Sequence, residues 1–345
     1  MAGWLALSDQ GAPPAAQRPG ETLRRGTLVF EITTPLQQAG VLIDWVAGAG
    51  TGQRSLALFH DHDSGLILLQ RQGALLMRHV LPGPLPEVPG LARILFHWDQ
   101  DANSWDMRYR RSDLDLELRA GGTGVLSPRL GDLVVLCQNG MTGDQALAER
   151  SATRHPALLW FGVTDGAAPP QSAPWIGPRT QIQTPTGFRL AAQLRPGDMV
   201  LTEDRGACML QSVRRLDLPG RGRHAPVLLR APYFSPARDV LVSADQALVQ
   251  RGSDVEYLFF EDAVLVQAGF LTDGRAALLD TRRAVMATVS LDIGRPGLIL
   301  GEGLSFLSAQ HGPGAEMPPP MRQLHRYEAV PLMAVLGHGA GRSAA

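Results

Sequence analysis

Lysine is absent from the 345 residues, so all 32 basic side chains are arginine. The chain therefore has no amine for a Schiff base and no lysine to reach phosphates in a nucleotide-binding loop. Cysteine is almost absent too: Cys137 and Cys208 are too few for a disulfide scaffold or a cysteine-rich metal site. An excess of one charge sign is missing, with a formal net charge of -1, which argues against nucleic acid or an anionic membrane as partner. No apolar run is long enough to span a bilayer. Residues 1–20, with Asp9, Pro13, Pro14 and Arg18, lack the basic start and apolar stretch of a secretory signal. The expected location is the cytoplasm, or outside the cell by a non-classical route.

What the chain does have is glycine and proline, 38 and 26 residues, so Arg-Gly pairs such as Arg221-Gly222 reflect composition rather than RNA binding. Short apolar or alternating runs recur at close spacing: Thr27 to Ile32, Val41 to Val46, Ser55 to Phe59, Leu66 to Gln70 and Leu75 to Val80. Turn-forming stretches separate them, among them Ala49-Gly50-Thr51-Gly52, Asp63-Ser64-Gly65 and Gln72-Gly73. Arg93 to Trp98, Trp105 to Tyr109 and Leu159 to Val163 continue the series, which predicts a β-sandwich. Ala167 to Pro174 then reads as a stiff, extended linker, because consecutive prolines exclude helix. The expected organisation is a flexible leader at 1–20, a sandwich at 21–168, a linker at 169–174, an all-β module at 175–311, and a Pro/Gly-rich segment with a short C-terminal element at 312–345. Within the last, Met321 to Val330 is a helix candidate that Pro331 should break.

Several side-chain groupings in the first half bear on binding. His60-Asp61-His62-Asp63 has metal-ligand residue types, and oxygen ligands from Asp61 and Asp63 alongside His60 would favour calcium over zinc. A plain hairpin tip is the competing reading. Asp113-Leu114-Asp115-Leu116-Glu117 alternates strictly, which would put three carboxylates on one face of a strand. Their strand spacing, about 6.6 Å for neighbours on that face, exceeds the roughly 5 Å of a retaining glycoside hydrolase, so a solvated or polysaccharide-contacting face is expected instead. Trp98 and Asp99 complete this candidate glycan-contacting set with Asp113, Asp115 and Glu117. Trp45, Trp98, Trp105 and Trp160 could stack on sugars, although large rings in sandwiches usually sit in the core.

The Phe96-His97-Trp98-Asp99 strand and turn, followed by Trp105, resembles the concanavalin/laminin-G type of jelly roll. In the second half the turn Thr184-Pro185-Thr186-Gly187, then Leu194-Arg195-Pro196-Gly197-Asp198 leading into Met199 to Thr202, resembles the opening block of bacterial Hint (hedgehog/intein) proteins. Arg238 to Gln246 is similar to the family's central motif, and Leu291 to Ser305 to its closing block. The fold implied is mainly β: a jelly-roll-like sandwich followed by a Hint-type all-β module.

The resemblance implies self-processing chemistry, yet the matched positions lack the groups it needs. The first residue should be a Cys or Ser that attacks the preceding carbonyl; Trp175 stands there and offers no nucleophile. The central motif keeps Ser243 but ends in Gln246, where the family has a histidine that protonates the leaving amide nitrogen; an amide cannot titrate. Gly294 and Pro296 occupy the places of the closing Asp and His, with Asp292 two positions early. Asparagine cyclisation is excluded because Asn103 and Asn139 both lie upstream. Between Trp175 and Gln310 the only histidine is His224 and the only cysteine Cys208, which reads as a strand residue. The expectation is a non-catalytic Hint-domain protein, a pseudo-enzyme with a binding or structural role and a glycan or protein partner. No cofactor is expected beyond calcium. The alternatives are residual autoproteolysis and a carbohydrate-binding module carried on a Hint scaffold.

Overall fold

In the computed structural model of the chain, residues 3–11, 13–48, 50–138, 150–311 and 317–339 are described. Two compact units emerge: Met1–Pro170 with Arg221–Arg223, and Gln171–Gly220 with His224–Ala345. The division falls inside the proline-rich stretch read as a linker.

The alternating runs of the first half become the strands of two antiparallel sheets. One runs in the order Ala6–Leu7, Leu158–Thr164, Arg25–Thr34, Gly90–Asp99, Ser104–Arg111, Leu116–Thr123. The other runs Arg150–Arg154, Gly40–Ala47, Arg54–Asp61, Gly65–Gln72, Leu75–Leu81. Because side chains alternate along a strand, Leu28, Phe30 and Ile32 turn to one face with Ala92, Ile94 and Phe96 opposite them. They join Ile43, Trp45, Leu56, Leu58, Leu66 and Leu68 of the other sheet in one buried cluster. Gly26 lies opposite Trp98, and a Cβ there would press on the Trp98 ring and on the Thr164 carbonyl.

Three expectations change here. The start of the chain is not a loose leader: Ala6 and Leu7 pair with Val163 and Gly162, Trp4 is buried edge-on to Trp160, and Ala15 enters the core. Residues 113–115 are not strand but a turn joining two strands, closed by the Arg111–Asp113 ion pair and by the left-handed φ of 49° at Asp115. A helix at Leu130–Cys137 also appears where no amphipathic period announced one; its Leu130, Leu133 and Leu136 seal the core cluster.

In the second unit a long antiparallel pair, Ser212–Pro219 with Val285–Asp292, carries the site described below. A larger sheet includes Gln181–Thr184, Leu298–Gly301, Leu304–Leu307, Ala247–Arg251 and Ala263–Gln267, and a smaller one Val240–Val242, Val227–Leu229 and Ala277–Leu279. The C-terminal helix spans Arg326–Gly339 and continues through Pro331 instead of ending before it. Glu328 caps its first turn by accepting the His325 N–H at 2.8 Å, and Leu324, Ala329 and Leu332 are buried in the unit's core. That burial outweighs the one backbone bond a proline removes. Part of the Pro/Gly-rich stretch before it, residues 312–316, lies outside the described residues. Among the described residues no helix is long and apolar enough to cross a membrane.

Candidate functional site

The register of the long strand pair sets out the site. Ser212 lies opposite Asp292 and Arg214 opposite Ser290. Residues two apart share a face, so all four side chains point the same way. Ile176 bridges Val289 on one side and Val242 on the other, exchanging bonds of 2.9 and 3.0 Å with Val289. The peptide between Pro174 and Trp175 is thereby held beside Ser290.

Every polar group of that peptide is engaged. The Trp175 N–H donates to Ser243 Oγ at 3.0 Å, the Ser243 N–H donates to the Trp175 carbonyl at 3.0 Å, and Ser290 Oγ donates to the Pro174 carbonyl at 2.7 Å. Behind Ser290 stands His311, with Nε2 2.8 Å from Ser290 Oγ, Nδ1 hydrogen-bonded to Ser212 Oγ, and its backbone N–H donating to Asp292 at 3.0 Å. Arg214 donates to the His311 carbonyl.

Proton counting fixes the direction of this chain of bonds. A carbonyl only accepts, and a serine has one hydroxyl proton, so the Ser290 proton lies on Pro174 O and Nε2 must donate to Ser290 Oγ. Nδ1 is then the acceptor for Ser212. Burial, reinforced by Arg214, holds the His311 pKa below its ordinary value, while Asp292 opposes the shift. Neutral His311 suits this arrangement, since it accepts at one nitrogen and donates at the other. Removing Ser290 would take away the donor to the half-buried Pro174 carbonyl and the acceptor of the His311 Nε2–H. Ser290→Ala is expected to destabilise the second unit by about 1–3 kcal/mol, read by urea denaturation; no change beyond error would show the bond to be dispensable.

The family-matched positions fall as follows. The Trp175 indole is buried with Leu218 and Met286, 3 % exposed. Ser243 faces the junction, whereas Gln246 donates its amide to the carbonyls of Ala247 and Leu307, at 3.1 and 2.9 Å. Gly294 has φ 80° and receives Asp292 Oδ1 on its N–H at 2.6 Å, and Pro296 is buried. Cys208 sits in the strand Gly206–Met209, and Ser172 is exposed. The junction imidazole is His311, not His224. It stands one residue beyond Gln310, and it and Ser212 are 99 residues apart in sequence.

The first-half candidates do not form the sites expected of them. Asp61 turns its carboxylate back onto the hairpin, accepting the N–H groups of Asp63 at 3.2 Å and Ser64 at 2.7 Å. With Asp61 so engaged, it does not join His60 and Asp63 around an ion, and among the described residues no group of three or more His, Cys, Asp or Glu is placed to hold a metal. Trp98 is fully buried and donates Nε1 to the Leu23 carbonyl at 2.9 Å, so it offers no face to a sugar. Asp99 accepts the N–H groups of Asp101 and Ala102 in a turn. The Arg111 guanidinium holds the Asp113 carboxyl down at about 2. Glu117 pairs with Arg110. These acids therefore serve turns and ion pairs rather than one shared face.

Residues 177–313 match the sequence model of the Hint domain family. No curated protein sequence matches the chain. Among solved structures the chain is similar to the MchDnaB-1 intein, at 14 % identity, 39 % of this chain and 98 % of that one, with a TM-score of 0.26. It is similar to the bacterial intein-like domain from Clostridium thermocellum, at 14 % identity, 40 % of this chain and 99 % of that one, with a TM-score of 0.28. It is also similar to the CBM40 of Ruminococcus gnavus IT-sialidase, at 16 % identity, 49 % of this chain and 89 % of that one, with a TM-score of 0.32.

Proposed function

We propose that the stretch matching the Hint domain family, residues 177–313, has exchanged self-processing for a holding role: it clamps the chain at Pro174–Trp175 without cutting it. The observation that carries this reading is the state of residue 175. Its side chain is an indole packed among apolar neighbours, so residue 175 itself brings no nucleophilic electron pair to the carbonyl of residue 174. The peptide N–H is occupied by Ser243, and Gln246, in the place of the general acid, spends its amide on backbone carbonyls. What the domain retains is the hydrogen-bonded grip on the peptide, which lowers the energy of the intact chain.

A second reading is favoured by one contact, Ser290 Oγ at 2.7 Å from Pro174 O with His311 behind it. In that reading Ser290 Oγ would bond to the Pro174 carbonyl carbon and the C–N bond to Trp175 would break. The hydroxyl proton would pass to the leaving amine, and water would hydrolyse the ester. The proton count stands against it, because a His311 that donates from Nε2 cannot also take the Ser290 proton there. Hydroxylamine traps acyl intermediates, and comparing wild type with Ser290→Ala separates the two readings. Neither protein should yield fragments ending at Pro174; fragments from wild type that vanish in Ser290→Ala would establish Ser290 as the nucleophile.

A further inference from the structure

The outer faces of the two sandwich sheets differ in kind. On the six-stranded sheet Met107 and Tyr109 enter the core, so the residues between and beside them turn outward: Arg108 lies opposite Arg119 there, and Arg110 opposite Glu117. A face that meets water is ordinarily polar in this way. On the five-stranded sheet the outward residues are apolar. Directly opposite residues share a face, so three rows can be read across Gly40–Ala47, Arg54–Asp61, Gly65–Gln72 and Leu75–Leu81. The first row is Val41, Phe59, Ile67 and Val80; the second is Asp44, Ala57, Leu69 and Arg78; the third is Val46, Ser55, Arg71 and Leu76. A register shift between Val41 and Ile43 lets Val41 and Asp44 point the same way.

None of these apolar side chains belongs to the buried cluster between the sheets. Leu76 is 62 % exposed and Val41 37 %, while Phe59, Ile67, Leu69 and Val80 are half-buried by one another. A continuous apolar patch of this kind on a sheet face marks an interaction surface. Its charges are placed at its edges. Asp44 and Arg78 stand at opposite ends of the middle row, three strand spacings or roughly 14 Å apart, and neither has an ion-pair partner among the described residues. Burial raises the Asp44 pKa, as expected of a carboxylate short of water and of counter-charge. Arg71, at the rim, donates to the Gly73 carbonyl at 3.1 Å.

The rows are their own complement. A two-fold axis lying near the strand direction, between Arg54–Asp61 and Gly65–Gln72, sets each strand of one copy against its counterpart in the other: Gly40–Ala47 against Leu75–Leu81, and Arg54–Asp61 against Gly65–Gln72. Each row then meets itself reversed. Asp44 faces Arg78 of the second copy, and Arg78 faces that copy's Asp44, so both unpaired charges are answered at once. Between them the small Ala57 receives the longer Leu69. In the first row Val41 and Phe59 meet Val80 and Ile67, and apolar sheet faces stack in this aligned manner about 10 Å apart. An unrelated partner would have to bring this pattern; a second copy already carries it.

We propose that the outer face of the five-stranded sheet is a homodimer interface, closed at both ends by Asp44–Arg78 pairs between the copies. The proposal concerns the sandwich alone and stands whether or not the chain is cut at residue 174. From strand spacing and rise the face measures about 20 by 20 Å, small for a permanent dimer, so the expected Kd is roughly micromolar. Sedimentation velocity of the full chain between about 1 and 100 μM tests it. The mass should rise from 37.1 kDa toward twice that value. Leu69→Glu puts a carboxylate into the apolar centre and should abolish the rise. Arg78→Asp sets acid against acid at both ends and should raise the Kd at least about tenfold. Exposed on the outermost strand, Arg78 can be changed without disturbing the fold, which keeps the test open even if Leu69→Glu fails to fold. Combining Asp44→Arg with Arg78→Asp restores opposite charges across the axis and should recover the dimer, a rescue that no folding defect mimics. Phe260→Ser, at a residue 93 % exposed in the second unit, should leave association unchanged. A mass of 37.1 kDa throughout the range would overturn the proposal. So would a dimer indifferent to Arg78→Asp, a double variant no better than Arg78→Asp alone, or a dimer lost in Phe260→Ser.

Discussion

Between pH 6.5 and 4 the sandwich unit is expected to lose about 3 kcal/mol of stability through His79 alone. The imidazole is 1 % exposed, with Phe96 and Trp105 each 4.9 Å away ring to ring. Nε2 faces Gln70 Oε1 at 3.2 Å, and Nδ1 has no partner among the described residues. Amide oxygens accept, so Nε2 carries the proton and Nδ1 is bare; protonating it would bury a charged N–H among rings. Burial accordingly pushes the pKa down from 6.5 to about 4. The sign follows: the unfolded chain binds this proton first, so the contribution is complete above pH 6.5 and drains away as pH falls toward 4. His60, also lowered by burial, acts in the same direction. Urea titrations at a series of pH values would show the slope, and His79→Phe should flatten most of it. A wild-type stability constant across that window would contradict the assignment.

Glu31→Ala is expected to be the most damaging single change in the sandwich, at about 3–5 kcal/mol, because it breaks a buried ion pair from one side. Glu31 is fully buried, with Trp160 opposite it on one neighbouring strand and Arg93 opposite it on the other. Its carboxylate takes the Trp160 Nε1–H at 3.1 Å and the Arg93 guanidinium at 3.0 Å, and Arg93 lies 5.6 Å over the Trp160 ring. Alanine would remove the carboxylate from the Trp160 and Arg93 groups and from the Arg223 N–H, which Glu31 Oε1 also accepts at 2.8 Å. Glu31→Gln keeps the volume and an oxygen for Trp160, so its loss should be smaller. Calorimetry should find the sandwich transition roughly 10 °C lower in Glu31→Ala, and a shift within error would show that water replaces the carboxylate.

Much of the sandwich was legible because period-two alternation is a local signal. All eight runs read as strands, from Thr27 to Val163, lie within strands of the two sheets. In each misreading a side-chain contact or burial overrode the local pattern. Pro13, Pro14 and the alanines beside them suggested a loose leader, yet Trp4 and Ala15 find room in the core. Alternation at Asp113 to Glu117 looked like strand, but Arg111 recruits Asp113 into a turn. Pro331 looked like a stop, but Leu332 behind it is fully buried.

At the junction, the residues near the start of the module and its central motif were legible, and Trp175 and Ser243 do meet. Ser290 and His311 were not, because nothing local marks them. Ser290 is one serine in a strand, and it gains its role only through the register that sets it opposite Arg214 and beside residue 174. His311 reaches the site because the chain leaving the last strand folds back on Asp292, with Ala309 N–H donating to Leu291 O at 2.8 Å.

The central claim is that the Pro174 carbonyl is gripped but has no attacker. The most direct test is the intact mass of the purified full-length chain after prolonged incubation at neutral pH with hydroxylamine. The account predicts one species at 37.1 kDa. A pair of products divided between residues 174 and 175, the first carrying a hydroxamate, would contradict it.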